Sequence, residues 1–187
     1  MLDTQDAAPR LRDALDGFAS RNDLSPARVD DTHWYPGRGL LHVRLPNFAW
    51  RRRALPHHDA HHLLTGYPCT PSGEMQMAAW EFAAGRYPHA AATAFCLPLV
   101  GFGALLLPRR TFAAFVRGRR NRSLYATPFD DRLLDTRIDA LQAQFAPQQD
   151  ACANLRDVVA FARLVAWSLA WSLLPVLAVW ALVAVAR

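Results

Sequence analysis

The stretch LPHHDAHHLLTGYPCTPSGE, from Leu55 to Glu74, predicts a helix, a turn and the start of a second helix. Pro56 suits the first position of a helix and Gly66 suits the residue that follows the last turn, so we expect a short helix from Pro56 to Thr65. The prolines and glycines after Gly66 turn the chain. Glu74 then falls in the first turn of the next helix, where the helix dipole favours a carboxylate. The stretch therefore predicts a helical hairpin.

Four of the seven histidines lie on the first helix of this hairpin. His58 and His62 are four residues apart and share one face, and Asp59 lies at the edge of that face. A tight hairpin can bring Glu74 back over the same face as a fourth ligand. Two histidines with carboxylates suit zinc, and they also suit ferrous iron in an open facial arrangement.

Spacing alone leaves two alternatives open. His57 and His61 form the same pair one position earlier, so the register of the ligands is not fixed. The histidines could also form a polar, partly exposed cluster without a metal.

The composition limits the class of protein. A chain of 187 residues suggests one domain of ordinary size with an appendage. All 21 basic residues are arginines, which we attribute to a GC-rich genome, and no nucleic-acid motif accompanies the net charge of +5, so no nucleic-acid partner is expected. The three cysteines lack a CxxC pair, which favours a reducing compartment. The polar, Asp-rich start is unlike a signal peptide and indicates a cytoplasmic N-terminus.

The C-terminal part predicts a transmembrane helix. Residues 164–186 are 23 residues without a charge, between Arg163 and Arg187. At 1.5 Å per residue they extend about 34 Å, enough to cross a hydrocarbon core of about 30 Å with some tilt. The alternative is a fully buried core helix. By the positive-inside rule, the arginines between Arg109 and Arg122 indicate that the domain lies on the cytoplasmic face of the membrane. We expect this membrane to be a bacterial inner membrane.

A second apolar segment covers residues 90–107. Pro98, Gly101 and Gly103 within it suit either a broken membrane helix or a helix packed tightly inside the domain. The six arginines that follow, from Arg109 to Arg122, could hold a phosphate or an anionic headgroup, or form a solvated surface.

The remaining patterns are helical, so the expected fold class is all-α. Residues 8–19 predict a short amphipathic helix. Asp130 and Asp131 open a longer helix with an apolar stripe that ends before Pro147. We expect three parts: an N-terminal segment 1–53, a helical metal-binding domain 54–157 and a transmembrane helix 158–187.

The hairpin motif resembles that of a known family. His58, Asp59 and His62, followed by eleven residues and then Glu74, form the HDxxH-x11-E signature of the coenzyme Q biosynthesis protein four family. Glu81, seven residues later, is similar to an acidic position of that family. The resemblance covers about residues 56–85 and selects His58 and His62 over His57 and His61.

The resemblance implies an all-helical fold and a divalent metal, usually zinc, held by His58, Asp59, His62 and Glu74. It implies a hydrophobic tunnel for a polyprenylated aromatic lipid, which Gly101 and Gly103 would line, and possible association with other quinone enzymes. The implied function is ubiquinone biosynthesis: a carboxy-lyase reaction at C1 of a polyprenylated 4-hydroxybenzoate derivative. The C-terminal anchor and the residues before Leu55 depart from the family.

Two roles are open for Glu81 and three for the protein. Glu81 could donate a proton if burial raises its pKa, or it could fix a metal-bound imidazole. Besides a decarboxylase, the protein could be a non-catalytic scaffold that binds metal and prenyl lipid. It could also be a small metal-dependent membrane hydrolase with the arginines as its phosphate clamp.

Overall fold

The computed structural model describes residues 8–22, 24, 32–34, 44–85, 87–147 and 151–185, with side chains to Leu174. Within these ranges the all-α prediction is confirmed, because eight α-helices make up most of the structure. The two strands, β1 (His33–Trp34) and β2 (Leu45–Pro46), form one short antiparallel pair. The helices are α1 (Leu11–Arg21), α2 (Ala49–Thr65), α3 (Pro71–Ala84), α4 (Ala90–Leu106), α5 (Pro108–Gly118), α6 (Asp131–Leu134), α7 (Ile138–Phe145) and α8 (Leu155–Val185).

Helix α2 is longer than its sequence predicts. It begins at Ala49, so Pro56 lies inside the helix and not at its first position. The proline removes one backbone N–H, and the helix continues through it to Thr65. The end of α2 agrees with the prediction: Gly66 adopts a left-handed conformation with φ 76°, and its N–H bonds to the carbonyl of His62.

Helix α3 begins as the sequence predicts. Thr70 is the N-cap, and its hydroxyl accepts a hydrogen bond from the N–H of Gly73. Pro71 occupies the first turn, and Glu74 lies in that turn too. Helices α2 and α3 therefore form the predicted hairpin.

The helix expected after Asp130 is divided into α6 and α7. The Asp130 side chain caps α6 by accepting from the N–H of Leu133. The interruption is stabilised by the N-terminal segment, since Thr136 accepts from the N–H of Leu11 and Ile138 donates to the carbonyl of Pro9. Between α6 and α7, hydrogen bonds to the distant N-terminal segment thus take the place of bonds within a continuous helix.

One apolar core joins the N-terminal helix to the rest of the domain. Leu11 is fully buried in it, and the expected boundaries at 53/54 and 157/158 both fall inside helices, α2 and α8. The largest members of this core are Leu11, Leu64, Met77, Trp80, Phe115, Leu124, Leu133 and Leu141.

Helix α3 lies between close neighbours. Helix α5 approaches it so tightly that a Cβ atom at Gly118 would collide with the carbonyl oxygen of Trp80. On α4, a Cβ at Gly103 would lie 3.0 Å from Cβ of Met75. Both glycines allow backbone contact that a larger residue would prevent.

Helix α8 starts within the domain. Asp157 in its first turn accepts hydrogen bonds from Arg120, at 2.6 Å, and from the N–H of Asn154. Its segment Leu155–Leu174 is, by length and composition, the one helix of the described residues that could cross a membrane. Helix α4 is apolar but shorter.

Candidate metal centre

Three side chains of the α2–α3 hairpin converge at one point. Nε2 of His58 lies 3.2 Å from Oε2 of Glu74 and 3.2 Å from Nε2 of His62. Nε2 of His62 lies 3.4 Å from Oε1 of Glu74. These are the residues of the described chain that could hold a metal ion as a group.

Hydrogen bonds assign the tautomers of both histidines. Nδ1–H of His62 donates to the carbonyl oxygen of Tyr67, 2.7 Å away. Nδ1–H of His58 donates to Oε1 of Glu81 at 3.1 Å. In the neutral form, each ring therefore presents the lone pair of Nε2 to the same point, with its other nitrogen anchored, as metal-bound histidines do.

The donor set fits a divalent cation. Ligand atoms about 2.0–2.1 Å from a tetrahedral zinc ion lie about 3.3–3.4 Å apart, close to the 3.2 Å between the two Nε2 atoms. Two lone pairs that face each other at 3.2 Å repel unless a proton or a metal ion lies between them. The identity of such an ion is not fixed by these three residues.

The electrostatics of the group also favour positive charge. Burial raises the pKa of Glu74, but hydrogen bonds from His58 and His62 outweigh burial and bring this pKa to about 2. Burial lowers the pKa of His62, but contacts with Cys69 and Glu74 raise it to about 9. Glu74 is therefore an anion that faces two nitrogen ligands.

Asp59 lies beside this group but does not join it. Its charge acts on His58 and His62, yet its carboxylate is not among the ligand atoms that lie within 4.8 Å of one another. Burial raises the pKa of Asp59. The structure thus brings together three of the four residues that the family resemblance implies as ligands.

The second histidine pair, His57 and His61, has other partners. Nδ1–H of His61 donates to Oε1 of Glu81 at 2.7 Å, and its Nε2 accepts from the N–H of Leu124 at 2.8 Å. Nε2 of His57 lies 2.9 Å from the carbonyl oxygen of Thr127. Both nitrogens of His61 are in use, so the geometry favours the register with His58 and His62.

Glu81 is the fully buried centre of a hydrogen-bond network. Its carboxylate accepts from His58 and His61, and also from the hydroxyl groups of Tyr87 and Tyr125, each at 2.7 Å. Burial raises the pKa of Glu81, but the neighbouring His58 and the hydrogen bonds to both histidines lower it well below its usual value. The condition for proton donation, a pKa raised by burial, is not met. The contacts fit the positioning of His58.

The sequence analysis does not identify Tyr87 and Tyr125, and it names His61 only as an alternative metal ligand. The one available signal was Glu81 itself: it is one of only two glutamates, and a fully buried carboxylate requires several donors. The donors come from positions up to 44 residues away, so no local spacing identifies them.

The glycines expected to line a tunnel lie at helix contacts. The N–H of Gly101 bonds to Ser168 on α8, and Gly103 faces Met75 and Thr111. The apolar groove on this side of the domain, with a volume of about 520 Å³, is lined by Pro98, Phe102, Trp171, Ser172 and Leu174.

The arginines after α4 are dispersed among structural contacts. Arg117 is buried and donates to the carbonyl of Thr65. Arg119 and Arg120 both bind Asp157. These three side chains support helix packing, and they do not converge on the His58–His62–Glu74 group.

Comparison with known proteins gives no match: no family model, no curated protein and no solved structure matches this chain. Its function is therefore inferred from its own residues.

Proposed function

We propose that this protein acts in ubiquinone biosynthesis, as a metal-dependent lyase that removes the C1 carboxylate of a polyprenylated 4-hydroxybenzoate derivative at a membrane. One observation carries the proposal. His58, His62 and Glu74 converge, with Nδ1 of each histidine held by another partner, at the spacing of the HDxxH-x11-E signature. We place the domain on the cytoplasmic face of a bacterial inner membrane.

His58, His62 and Glu74 would hold the ion, and zinc is our first choice, with ferrous iron second. When bound, a divalent ion supplies Lewis acidity that stabilises negative charge on the phenolic oxygen of the substrate. Asp59, which the family resemblance implies as a fourth ligand, lies beside the group.

The chain's own residues orient this site. Glu81 holds the His58 ring through Nδ1, and the carbonyl of Tyr67 holds His62 in the same way. The carboxyl group of Asp59 lies beside the site, and burial raises its pKa. We assign to it the proton that replaces the carboxylate on the ring carbon, because Glu81 is already fixed by four donors.

An open coordination position supports catalysis over the scaffold alternative. A structural zinc site has four protein ligands, whereas a catalytic one has three and leaves a position for substrate. The group here has three members. The hydrolase alternative has less support, because Arg117, Arg119 and Arg120 bind Thr65 and Asp157.

The prenyl tail and the partners complete the proposal. The tail would bind along α4, near the predicted Gly101 and Gly103, where the apolar groove provides room. Each CH2 group buried there contributes about 0.8 kcal/mol, so long-tailed substrates should bind best. Other quinone-biosynthesis enzymes are the proposed protein partners.

The test is a strain that lacks this protein. We expect it to accumulate a carboxylated polyprenyl-benzoate and to lose ubiquinone. Wild type and His57→Gln should restore the pool, whereas Glu74→Ala should not. An unchanged quinone pool would overturn both the decarboxylase proposal and the scaffold alternative. Loss of ubiquinone with several different precursors accumulated would support the scaffold.

A further inference from the structure

Helices α4 and α8 are joined by hydrogen bonds between side chain and backbone, which are buried at Ser168 and exposed at Trp171. The hydroxyl of Ser168 accepts from the N–H of Gly101 at 2.8 Å and donates to the carbonyl of Leu97 at 2.6 Å. The indole N–H of Trp171 donates to the carbonyl of Ala94 at 3.0 Å. Because later residues of α8 pair with earlier residues of α4, the two helices run antiparallel.

These bonds satisfy a defect that Pro98 creates in α4. Proline has no N–H, so the carbonyl of Ala94, four residues earlier, has no helical donor at that position. Trp171 supplies the donor from α8. Backbone groups left unsatisfied in lipid cost several kcal/mol each, and here the defect faces protein.

The outer surfaces of both helices are apolar. Leu105 and Leu106 on α4 are 64% and 67% exposed, and Trp167 on α8 is 57% exposed. Large apolar surfaces of this kind mark interaction sites. The exposed apolar residues of this surface, which we call the α4–α8 face, are Phe95, Phe102, Leu105, Leu106, Trp167, Trp171, Leu173 and Leu174.

Exposed arginines lie at one end of the α4–α8 face. Arg109 and Arg110 directly follow α4, and Arg163 lies on α8. The rings of Phe112 and Phe161 are 5.2 Å apart, which places these two parts of the chain at the same level. Arginine side chains at such a level can reach anionic headgroups, each contributing about 1 kcal/mol.

We propose that the whole α4–α8 face is embedded in a phospholipid bilayer, so that α4 enters the lipid together with α8. Residues 164–174 of α8 follow Arg163, carry no charge and include Ser168 and Trp171, the two residues bonded to α4. Helix α8 cannot enter the bilayer without α4 while Ser168 and Trp171 are hydrogen-bonded to the backbone of α4. Arg109, Arg110 and Arg163 mark the headgroup level. This inference rests on the proposed membrane location and not on the quinone chemistry.

The test is photolabelling of the unaltered full chain. The protein is reconstituted in vesicles of phosphatidylcholine and phosphatidylglycerol that contain a phospholipid with a diazirine in mid-chain. After illumination, lipid adducts are located by mass spectrometry. We expect adducts on α4, at Phe95, Phe102 and Leu105, as well as on Trp167 and Trp171. Helix α7, with exposed Gln144, should carry none.

Adducts on α8 without adducts on α4 would overturn the inference and leave the membrane location intact. Absence of adducts from both helices would overturn the membrane location as well. Neither result bears on metal content, which is measured separately.

A matched pair of variants makes the test sharper. Leu105→Glu places a carboxylate in the face, and we expect adducts on α4 to fall about tenfold, because a charged side chain is disfavoured near the hydrocarbon core. Ala143→Glu, on exposed α7, should change nothing. Equal adduct yields on α4 in the two variants would contradict the inference.

Discussion

Glu81 and His61 meet at 2.7 Å in the interior, and neither side chain is exposed to solvent. Burial lowers the pKa of His61, and its Nε2 accepts from the N–H of Leu124, so this histidine is a neutral donor to an anionic carboxylate. The same carboxylate oxygen also binds His58. One atom, Oε1 of Glu81, therefore supports both the position of Leu124, through His61, and the orientation of the His58 ring.

The first prediction concerns the metal ligands. His58→Ala, His62→Ala and Glu74→Ala should each reduce the bound divalent ion from about one per chain to a small fraction, because each removes a ligand. His57→Gln, which keeps a donor for Thr127, should retain the ion. Elemental analysis of purified protein measures this. Equal loss of metal from His57→Gln and His58→Ala would contradict the register.

Asp59 provides a graded comparison within the same experiment. Since its carboxylate lies outside the group, Asp59→Asn should weaken metal binding less than Glu74→Gln. Competition with a chelator gives both affinities. A loss of metal affinity in Asp59→Asn that equals or exceeds the loss in Glu74→Gln would contradict this prediction and identify Asp59 as a ligand.

The second prediction concerns Glu81. Glu81→Gln preserves the volume but replaces one acceptor oxygen by a donor, so His58 and His61 lose their shared anion. We expect metal affinity to fall about 10–100-fold, the usual effect of removing the partner of a metal-bound histidine. Tyr87→Phe removes one donor and leaves His58 bound to Glu81, and should have a smaller effect. Chelator titration of the two variants tests the order.

The third prediction concerns Gly103. A Cβ atom there would lie 2.8 Å from Oγ1 of Thr111 and 3.0 Å from Cβ of Met75. Gly103→Ala should therefore reduce the free energy of unfolding by about 1–3 kcal/mol through overpacking. Gly17→Ala, on α1, meets only the flexible end of Arg21 and is the control. Chemical denaturation of both variants measures the difference.

The fourth prediction is a pH dependence at the start of α8. The hydrogen bond from Arg120 lowers the pKa of Asp157 from 3.8 to about 2. A lowered pKa in the folded state stabilises the protein above the unfolded value, and this contribution is lost as the pH falls through the folded value. Wild type should thus exceed Asp157→Asn in thermal stability at neutral pH, and the difference should shrink between about pH 4 and about pH 2. A difference that stays constant over this range would exclude the ion pair as its cause.

Local spacing predicted the parts of the site that depend on helical geometry. His58 and His62 share a face because they are four residues apart, and Gly66 ends α2 because a left-handed residue is needed there. The capped first turn of α3 then places Glu74 opposite them. The all-α fold class follows from the same periodicity.

Long-range contacts account for what the sequence did not reveal. The division between α6 and α7 depends on Pro9 and Leu11, and the network around Glu81 depends on Tyr125. Helix α2 is longer than predicted, because Pro56, which suits the first position of a helix, lies inside it. The family resemblance, the prenyl tunnel and the polyprenylated substrate stay predictions.

Helix α3 carries both glutamates of the chain, and close packing at Gly103 and Gly118 holds it on two sides. We expect this packing to limit how far Glu74 can move to accommodate a larger or smaller ion. Selection among cations of different radius should respond to substitutions at these glycines, although neither of them is part of the His58–His62–Glu74 group.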